Sequence, residues 1–109
     1  MKNTVKLNRE FTYAYKKGAK IVTGTLVFYW YRNRQSESML GITVSTALGG
    51  AVVRNRLKRL KRAAYSARKG DIIGGYNIII AARSKAMRVK FSQIQKDMDS
   101  ALEEAKLLR

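Results

Sequence analysis

The chain has 109 residues, of which 23 are lysine or arginine and 7 are aspartate or glutamate, so its formal net charge is +16. It contains no cysteine and no histidine, which excludes disulfide frameworks and thiolate metal sites and removes the commonest general base. Self-repulsion from this charge destabilises a compact fold, so the composition predicts a polyanionic partner, with nucleic acid the obvious one.

The first half of the chain predicts one helix followed by two strands. Residues 8–17 repeat apolar side chains on one helical face, and Gly18 is expected to end this helix in the left-handed conformation. Residues 21–31 are rich in β-branched and aromatic side chains and predict a strand with a break near Gly24. Residues 39–45 predict a second long strand after a polar turn.

The second half predicts a basic helix, a buried strand and a C-terminal helix. After a glycine loop at residues 48–50, the basic helix is expected to run to about residue 69, where Gly70 ends it. Residues 76–82 form a nearly continuous apolar run, which is typical of a strand buried on both faces. A basic loop then leads to a helix that starts at Phe91 and carries its acids opposite its apolar side.

The order of these elements predicts an α+β fold, a small two-layer sandwich of helices on a sheet. The succession of strand, basic helix and strand indicates one parallel pair with the basic helix as its crossover. Residues 1–109 are expected to form a single RNA-binding domain. Residues 1–7 lack the apolar segment of a signal peptide, and the longest apolar run, residues 26–31, is too short to span a membrane. We therefore expect a cytoplasmic protein.

The basic helix carries six cations and no acid within residues 54–62. Apolar residues recur at helical spacing from Val53 to Ala64, so one stripe is expected to pack on the core while the cations face solvent. Like charges stacked without an acid destabilise the free helix, which favours a binding function over an ordinary solvated face. Arginine suits phosphate because its planar guanidinium donates two hydrogen bonds. The candidate RNA-binding residues are Arg54, Asn55, Arg56, Lys58, Arg59, Lys61 and Arg62.

A second surface is indicated by the aromatic residues, most of which precede residue 32. Alternation along the predicted strand sends Tyr29 and Tyr31 to one face of the sheet. Phe28 and Trp30 then point to the opposite face. One set is expected to pack in the core, and the other can face a groove. Exposed aromatic rings beside cations form a stacking platform for single-stranded nucleic acid.

Few residues of this chain offer catalytic chemistry, and carboxylates are the only plausible catalytic groups. Asp97 and Asp99 are two residues apart on the predicted C-terminal helix, so they point in different directions. Glu103 and Glu104 lie on its solvated face, and ordinary surface acids explain all four. A protein-only nuclease that uses Asp97 or Asp99 is one alternative function. A general RNA-binding or ribosomal-type protein and a DNA-packaging protein are the others.

Residues 49–59, together with Arg62, closely resemble the Arg-Asn-Arg signature of the bacterial ribonuclease P protein subunit family. Residues 11–18 resemble that family's first helix, and residues 41–45 resemble the strand that leads into the signature. Residues 78–83 resemble its last strand. The resemblance therefore covers nearly the whole chain, with the elements in the same order.

The resemblance implies a fold detail and a function that the residue pattern does not supply. It implies a left-handed crossover between the parallel strands, against the usual right-handed rule. It also implies an accessory subunit of an endoribonuclease whose catalytic centre lies in a large RNA subunit, with no catalytic residue on the protein. Mg²⁺ is then bound mainly by the RNA, and none is held firmly by the protein. The holoenzyme removes the 5′ leader of precursor tRNA, and no membrane and no obligate protein partner are expected.

The resemblance also implies two separate binding surfaces. In the family, the basic helix and the loop before it contact the catalytic RNA. A cleft between the first helix and the sheet receives the single-stranded leader near the cleavage site. Carried onto this chain, Phe11, Tyr15 and Tyr29 line that cleft.

The chain departs from the family pattern in the loop before the basic helix. Thr46 and Ala47 stand where many members have two lysines. Gly50 stands where asparagine or lysine is usual. This loop therefore carries less positive charge than the family pattern provides.

Overall fold

The computed structural model describes residues 8–109, which contain three α-helices and a sheet of four β-strands. The predicted α+β class is confirmed. Residues 1–7, on which the signal-peptide prediction rests, lie outside the described residues. Within the described range, every helix is too short or too polar to cross a membrane. The elements are α1 (Asn8–Lys17), β1 (Ala19–Val22), β2 (Leu26–Arg32), β3 (Met39–Thr43), α2 (Ala51–Ser66), β4 (Tyr76–Ala82) and α3 (Phe91–Glu104).

The four strands form one sheet in the order β1-β2-β4-β3. β1 and β2 are separate antiparallel strands, which confirms the predicted break near Gly24. β2 is also antiparallel to β4, whereas β3 and β4 are parallel. Because α2 connects β3 to β4, the prediction that the basic helix is a crossover is confirmed. The left hand of this crossover stays an expectation of the resemblance.

The two faces of the sheet pack against different helices. Ile78 and Ile80 point to one face and join a core that includes side chains of α2 and α3. Ile79 points to the other face and packs with Ala14 of α1. All three isoleucines are fully buried, as predicted for a strand covered on both faces. The prediction of two layers is incomplete, because alternation along β4 gives the sheet two apolar faces and α1 covers the second.

The aromatic residues of β2 follow the predicted alternation. Phe28 is fully buried on the face covered by α2 and α3, and its ring centroid lies 5.7 Å from that of Trp30. Tyr29 and Tyr31 lie on the face covered by α1 and are only partly buried. One aromatic set therefore packs in the main core, and the other lies beside α1.

Two helix ends differ from the sequence prediction. α2 ends at Ser66 rather than near residue 69, and Gly70 lies in the following 3₁₀ turn, Lys69–Asp71. Gly18 does not adopt the left-handed conformation. A glycine is required there for space, because a Cβ atom would lie 2.6 Å from the carbonyl oxygen of Ala14.

Candidate nucleic-acid interface

α2 presents a row of cations along its outer face, which we call the α2 basic row. Within residues 8–109, the ion pair that forms joins Arg68 to Asp99, beyond this row, so no described acid neutralises the row. Guanidinium groups without a carboxylate partner are suited to the phosphates of a polyanion. The row consists of the exposed Arg56, Arg59 and Arg62 and the partly buried Arg54 and Lys58, and the exposed neutral Asn55 lies among them.

Lys61 does not belong to this row, and its predicted exposure to solvent is wrong. Its side chain is fully buried, and its Nζ donates a hydrogen bond of 3.2 Å to the carbonyl oxygen of Thr25. Lys61 lies four residues after Leu57 and three before Ala64, which places it in the middle of the buried stripe of α2. Lys61 is therefore a structural residue in this fold and does not present its charge to a nucleic acid.

Burial gives Lys61 an unusual acid–base behaviour. Burial lowers the pKa of Lys61 from 10.5 to about 8, and attraction to the Asp97 carboxylate offsets part of this effect. Asp97 Oδ2 accepts hydrogen bonds from the backbone amide of Thr25 at 3.0 Å and from its hydroxyl at 2.6 Å. Burial raises the pKa of Asp97, but these hydrogen bonds and one from Gln93 lower it by more, so the net shift is downward. Lys61 and Asp97 thus hold the β1–β2 turn.

We expect the free energy of unfolding to rise as the pH is raised from about 8 to about 10. The folded chain releases the Lys61 proton near pH 8, while the unfolded chain keeps it until about pH 10.5, so the unfolded state binds more protons in this window. Below pH 8 the buried charge costs on the order of 3 kcal/mol. Lys61→Met should abolish the rise and stabilise the protein at pH 7. Urea unfolding at several pH values measures both effects.

The urea unfolding experiment needs a control variant and an upper limit of pH. Lys96→Met removes an exposed lysine from α3 and should keep the wild-type dependence on pH. The comparison stays below pH 10, because burial raises the pKa of Tyr65 to about 12 and ionisation of the unfolded tyrosine would oppose the rise. The Thr25 carbonyl keeps its 3.0 Å hydrogen bond from the Arg83 amide in Lys61→Met. Equal pH dependence in wild type and Lys61→Met would contradict this account of the lysine.

A groove runs between α1 and the β3–β4 half of the sheet, and we call it the α1–β3 groove. It consists of two adjoining pockets of about 360 and 310 Å³ that share Tyr15 and Thr43. Phe11 lines the first pocket and Tyr29 lines the second. The structure therefore brings together the three residues predicted to form the cleft, while their role in leader binding stays a prediction. Thr43 is a lining residue that the sequence analysis missed.

Tyr15 and Tyr29 form the aromatic part of this groove. Their ring centroids are 5.0 Å apart and their planes are inclined by 70°, which is an edge-to-face arrangement. Tyr15 remains 45% exposed, so its ring is accessible from the groove. Burial raises the pKa of Tyr15, and a hydrogen bond with Thr43 offsets part of the shift. The Tyr15 hydroxyl is therefore protonated at neutral pH.

Gly41 makes room for Phe11 against the sheet. A Cβ atom at Gly41 would lie 2.9 Å from Cζ of Phe11 and 2.8 Å from Cδ1 of Ile79. Both distances are too short for a real side chain, so the ring can approach β3 only because residue 41 is glycine. A glycine inside a predicted strand was the one sequence signal for this close approach.

Lys58 joins the α2 basic row to the α1–β3 groove. It lines the same pocket as Phe11 and Tyr15. Arg54 and Arg62 lie four residues on either side of Lys58 and therefore share its flank of the helix. Sequence spacing predicts Lys58 on the helix surface alone, whereas in the structure it lies at the border between two surfaces. Aromatic rings and cations side by side suit a single-stranded nucleic acid.

The three departures from the family pattern all face open space. Thr46 and Ala47 are exposed in a 3₁₀ turn, Thr46–Leu48, in which the Ser45 hydroxyl oxygen accepts a 3.1 Å hydrogen bond from the Ala47 amide. A Cβ atom at Gly50 would meet no atom within 4 Å. These residues therefore change the charge of the loop and leave the packing unaffected.

Asp99 forms a bidentate ion pair with Arg68 and, among the described residues, does not pair with a second carboxylate. Its two carboxylate oxygens accept hydrogen bonds from Nε and Nη2 of Arg68 at 2.8 and 2.9 Å. These bonds lower the pKa of Asp99, and burial opposes them only in part. Asp97 is bound to Thr25, so both carboxylates considered for a protein-only nuclease make structural contacts. Within residues 8–109, no three acidic, histidine or cysteine side chains are grouped so that they could hold a metal ion.

Comparison with protein families and curated proteins gives a consistent result. The family model described as Ribonuclease P matches residues 1–106. The chain is 33% identical over 105 residues to the ribonuclease P protein component of Shouchella clausii, which covers 95% of this chain and 86% of that protein. It is 38% identical over 104 residues to the ribonuclease P protein component of Staphylococcus epidermidis, which covers 94% of this chain and 90% of that protein.

Solved structures show the same similarity. The ribonuclease P protein of Staphylococcus aureus superposes with a TM-score of 0.89 at 34% identity, covering 98% of each chain. The ribonuclease P protein of Thermotoga maritima superposes with a TM-score of 0.84 at 30% identity, covering 93% of this chain and 96% of that one. The similarity therefore extends over the sheet and all three helices.

Proposed function

Because this chain belongs to the ribonuclease P protein family, we propose that it binds the catalytic RNA through the α2 basic row and the 5′ leader of precursor tRNA through the α1–β3 groove. As a ribonuclease P protein component, it is an accessory part of an endoribonuclease and partners the ribonuclease P RNA. In our proposal the RNA subunit cleaves the precursor, and the protein positions the leader. The product is the mature 5′ end of the tRNA.

The observation that carries this proposal is the contact between the two surfaces at Lys58. One pocket is lined by an α2 cation and by two aromatic side chains of α1, Phe11 and Tyr15. A strand lying in the groove would stack bases on the rings while its phosphates approach Lys58. The outward side of α2 remains available for a second RNA. A protein of this size thus has two RNA-binding surfaces that meet along one edge.

We place the magnesium ions on the RNA subunit. Asp97 and Asp99 are already engaged in hydrogen bonds within the fold, and within residues 8–109 no three acidic side chains are grouped around a common point. Magnesium prefers oxygen ligands in octahedral geometry and readily binds phosphates. Bound there, Mg²⁺ would supply the activated water and stabilise the leaving group. The protein's own contribution is then to bind and orient the leader.

To test the proposal, the holoenzyme is reconstituted from this protein and the ribonuclease P RNA of Staphylococcus epidermidis, whose protein component is 38% identical to this chain. Cleavage of precursor tRNA is measured at low magnesium with and without the protein, and binding of precursor and mature tRNA is measured in parallel. We expect faster cleavage with the protein and tighter binding of the precursor. If cleavage is equally fast with and without the protein, the proposal is wrong. Equal binding of both tRNAs would favour a general RNA-binding protein instead.

A further inference from the structure

The opposite flank of α1 carries a second groove, which we call the α1–β2 groove. It has a volume of about 350 Å³ and is lined by Arg9, Glu10, Tyr13, Tyr31 and Arg32. Its α1 residues lie on the other side of the helix from those of the α1–β3 groove, with the fully buried Ala14 between the two sets. None of these five residues has a role in the function proposed above.

Tyr13 and Tyr31 give this groove an accessible aromatic surface. Their ring centroids are 4.8 Å apart and their planes are inclined by 58°. Tyr13 is 52% exposed, which is the largest exposure of any aromatic side chain in residues 8–109. The contact with Tyr31 holds the Tyr13 ring in place, so a ligand that stacks on it meets an ordered surface.

A buried asparagine fixes the position of Tyr31. The Tyr31 hydroxyl oxygen accepts a 2.8 Å hydrogen bond from Nδ2 of Asn77, which is only 3% exposed. The same amide nitrogen donates to Glu10 Oε2 at 3.3 Å, and Asn77 Oδ1 accepts from Asn33 at 2.9 Å. This network links α1, β2 and β4 under the groove. The aromatic floor is therefore preorganised for a ligand.

One arginine borders the aromatic pair. Arg9 is exposed and lines the groove. Arg32 also lines it, but its guanidinium carbon lies 5.8 Å from the ring centroid of Tyr76, which packs against the core on the face covered by α2 and α3. The Arg32 charge is therefore directed to the face opposite Tyr31. The Glu10 carboxylate is bound to the Asn77 amide at the base of the groove. A guanidinium group beside exposed rings is complementary to the phosphates and bases of a nucleic acid.

We propose that the α1–β2 groove binds leader nucleotides that lie farther from the cleavage site than those in the α1–β3 groove. A base stacks on Tyr13, and Arg9 contacts an adjacent phosphate. This inference rests on the proposed function, because it extends the path of the same strand. α1 is about 10 Å wide, so a strand leaving the first groove reaches the second within a few nucleotides. The α1–β2 groove also lies on the side of α1 away from the α2 cation Lys58, as expected for distal leader.

The test uses the reconstituted holoenzyme and precursor tRNAs with a nested set of leader lengths. Tyr13→Ala should weaken binding of long leaders by roughly 5- to 150-fold, the loss expected for one stacked base, and the loss should vanish below a threshold leader length. Tyr13→Phe keeps the ring and should restore most of the affinity. Arg9→Gln should show the same length threshold, which keeps the test decisive if Tyr13→Ala folds poorly.

The outcomes separate this inference from the proposed function. If wild-type holoenzyme binds precursor and mature tRNA equally, the proposed function fails. If wild type prefers the precursor and Tyr15→Ala loses that preference, but Tyr13→Ala and Arg9→Gln bind all leaders like wild type, the further inference alone fails. A loss that is equal for every leader length and for mature tRNA also overturns it, because the groove then contacts another part of the RNA.

Discussion

Replacing Arg56, Arg59 and Arg62 with glutamine is expected to weaken binding to the catalytic RNA by on the order of 10²- to 10³-fold at low salt. All three side chains are exposed on α2, and no described acid neutralises them. Each phosphate contact contributes about 0.7–0.9 to the slope of log K against log salt, so the slope should fall by about 2–3. Binding titrations at several salt concentrations measure both quantities.

A matched variant separates position from net charge. Glutamine at Lys69, Lys90 and Lys96 removes the same charge from exposed positions outside the α2 basic row. We expect this variant to lose much less affinity and to keep most of the salt slope. If both triple variants weaken binding equally, the RNA responds to the overall charge and α2 is not its specific contact. Thermal unfolding should be similar for both, because the replaced side chains are exposed.

Tyr15→Ala is expected to reduce the preference of the holoenzyme for precursor over mature tRNA. Loss of one base–aromatic stack costs about 1–3 kcal/mol, which is roughly a 5- to 150-fold loss in affinity for the precursor. Mature tRNA has no leader, so its binding should change little. Tyr15→Phe keeps the ring and loses the hydrogen bond with Thr43, so its effect should be smaller. Equilibrium binding of both tRNAs to each reconstituted holoenzyme gives the comparison.

Tyr15 is a better position than Phe11 for testing the groove, because Phe11 also packs against the sheet. Phe11 contacts the sheet at Gly41 and Ile79, so its removal would leave a space under α1 and lower stability. Tyr15 is 45% exposed, and its truncation leaves that contact intact. Phe91→Ala is the control, since this ring is 39% exposed on α3, outside both grooves. Equal losses for precursor and mature tRNA in Tyr15→Ala would remove leader binding from this groove.

Several features followed from the sequence by itself, because local periodicity determines them. The apolar run over residues 76–82 predicted a strand buried on both faces, and Ile78, Ile79 and Ile80 are fully buried on alternating faces. Helical spacing of apolar residues predicted that Leu57 and Ala64 lie on the buried face of α2, and both are buried. The sequence also shows the concentration of arginine in one helix and the family signature within that helix.

The burial of Lys61 could not be predicted from the sequence, although its helical position was clear. Its spacing from Leu57 and Ala64 places it in the apolar stripe, yet a lysine is normally read as a solvent-facing cation. Its burial depends on the Thr25 carbonyl and the Asp97 carboxylate, which come from a distant turn and from α3. Only the packing of these elements decides that the charge is accommodated inside.

The grooves were decided by tertiary structure alone. The residues of the α1–β3 groove come from α1, the sheet and α2, and they meet because β3 pairs in parallel with β4 while α1 lies across the same face. Tyr13 and Tyr15 are two residues apart in sequence, yet they line different grooves because successive helical residues turn by about 100°. Sequence periodicity determines which side chains share a face, and the assembled sheet determines what each face meets.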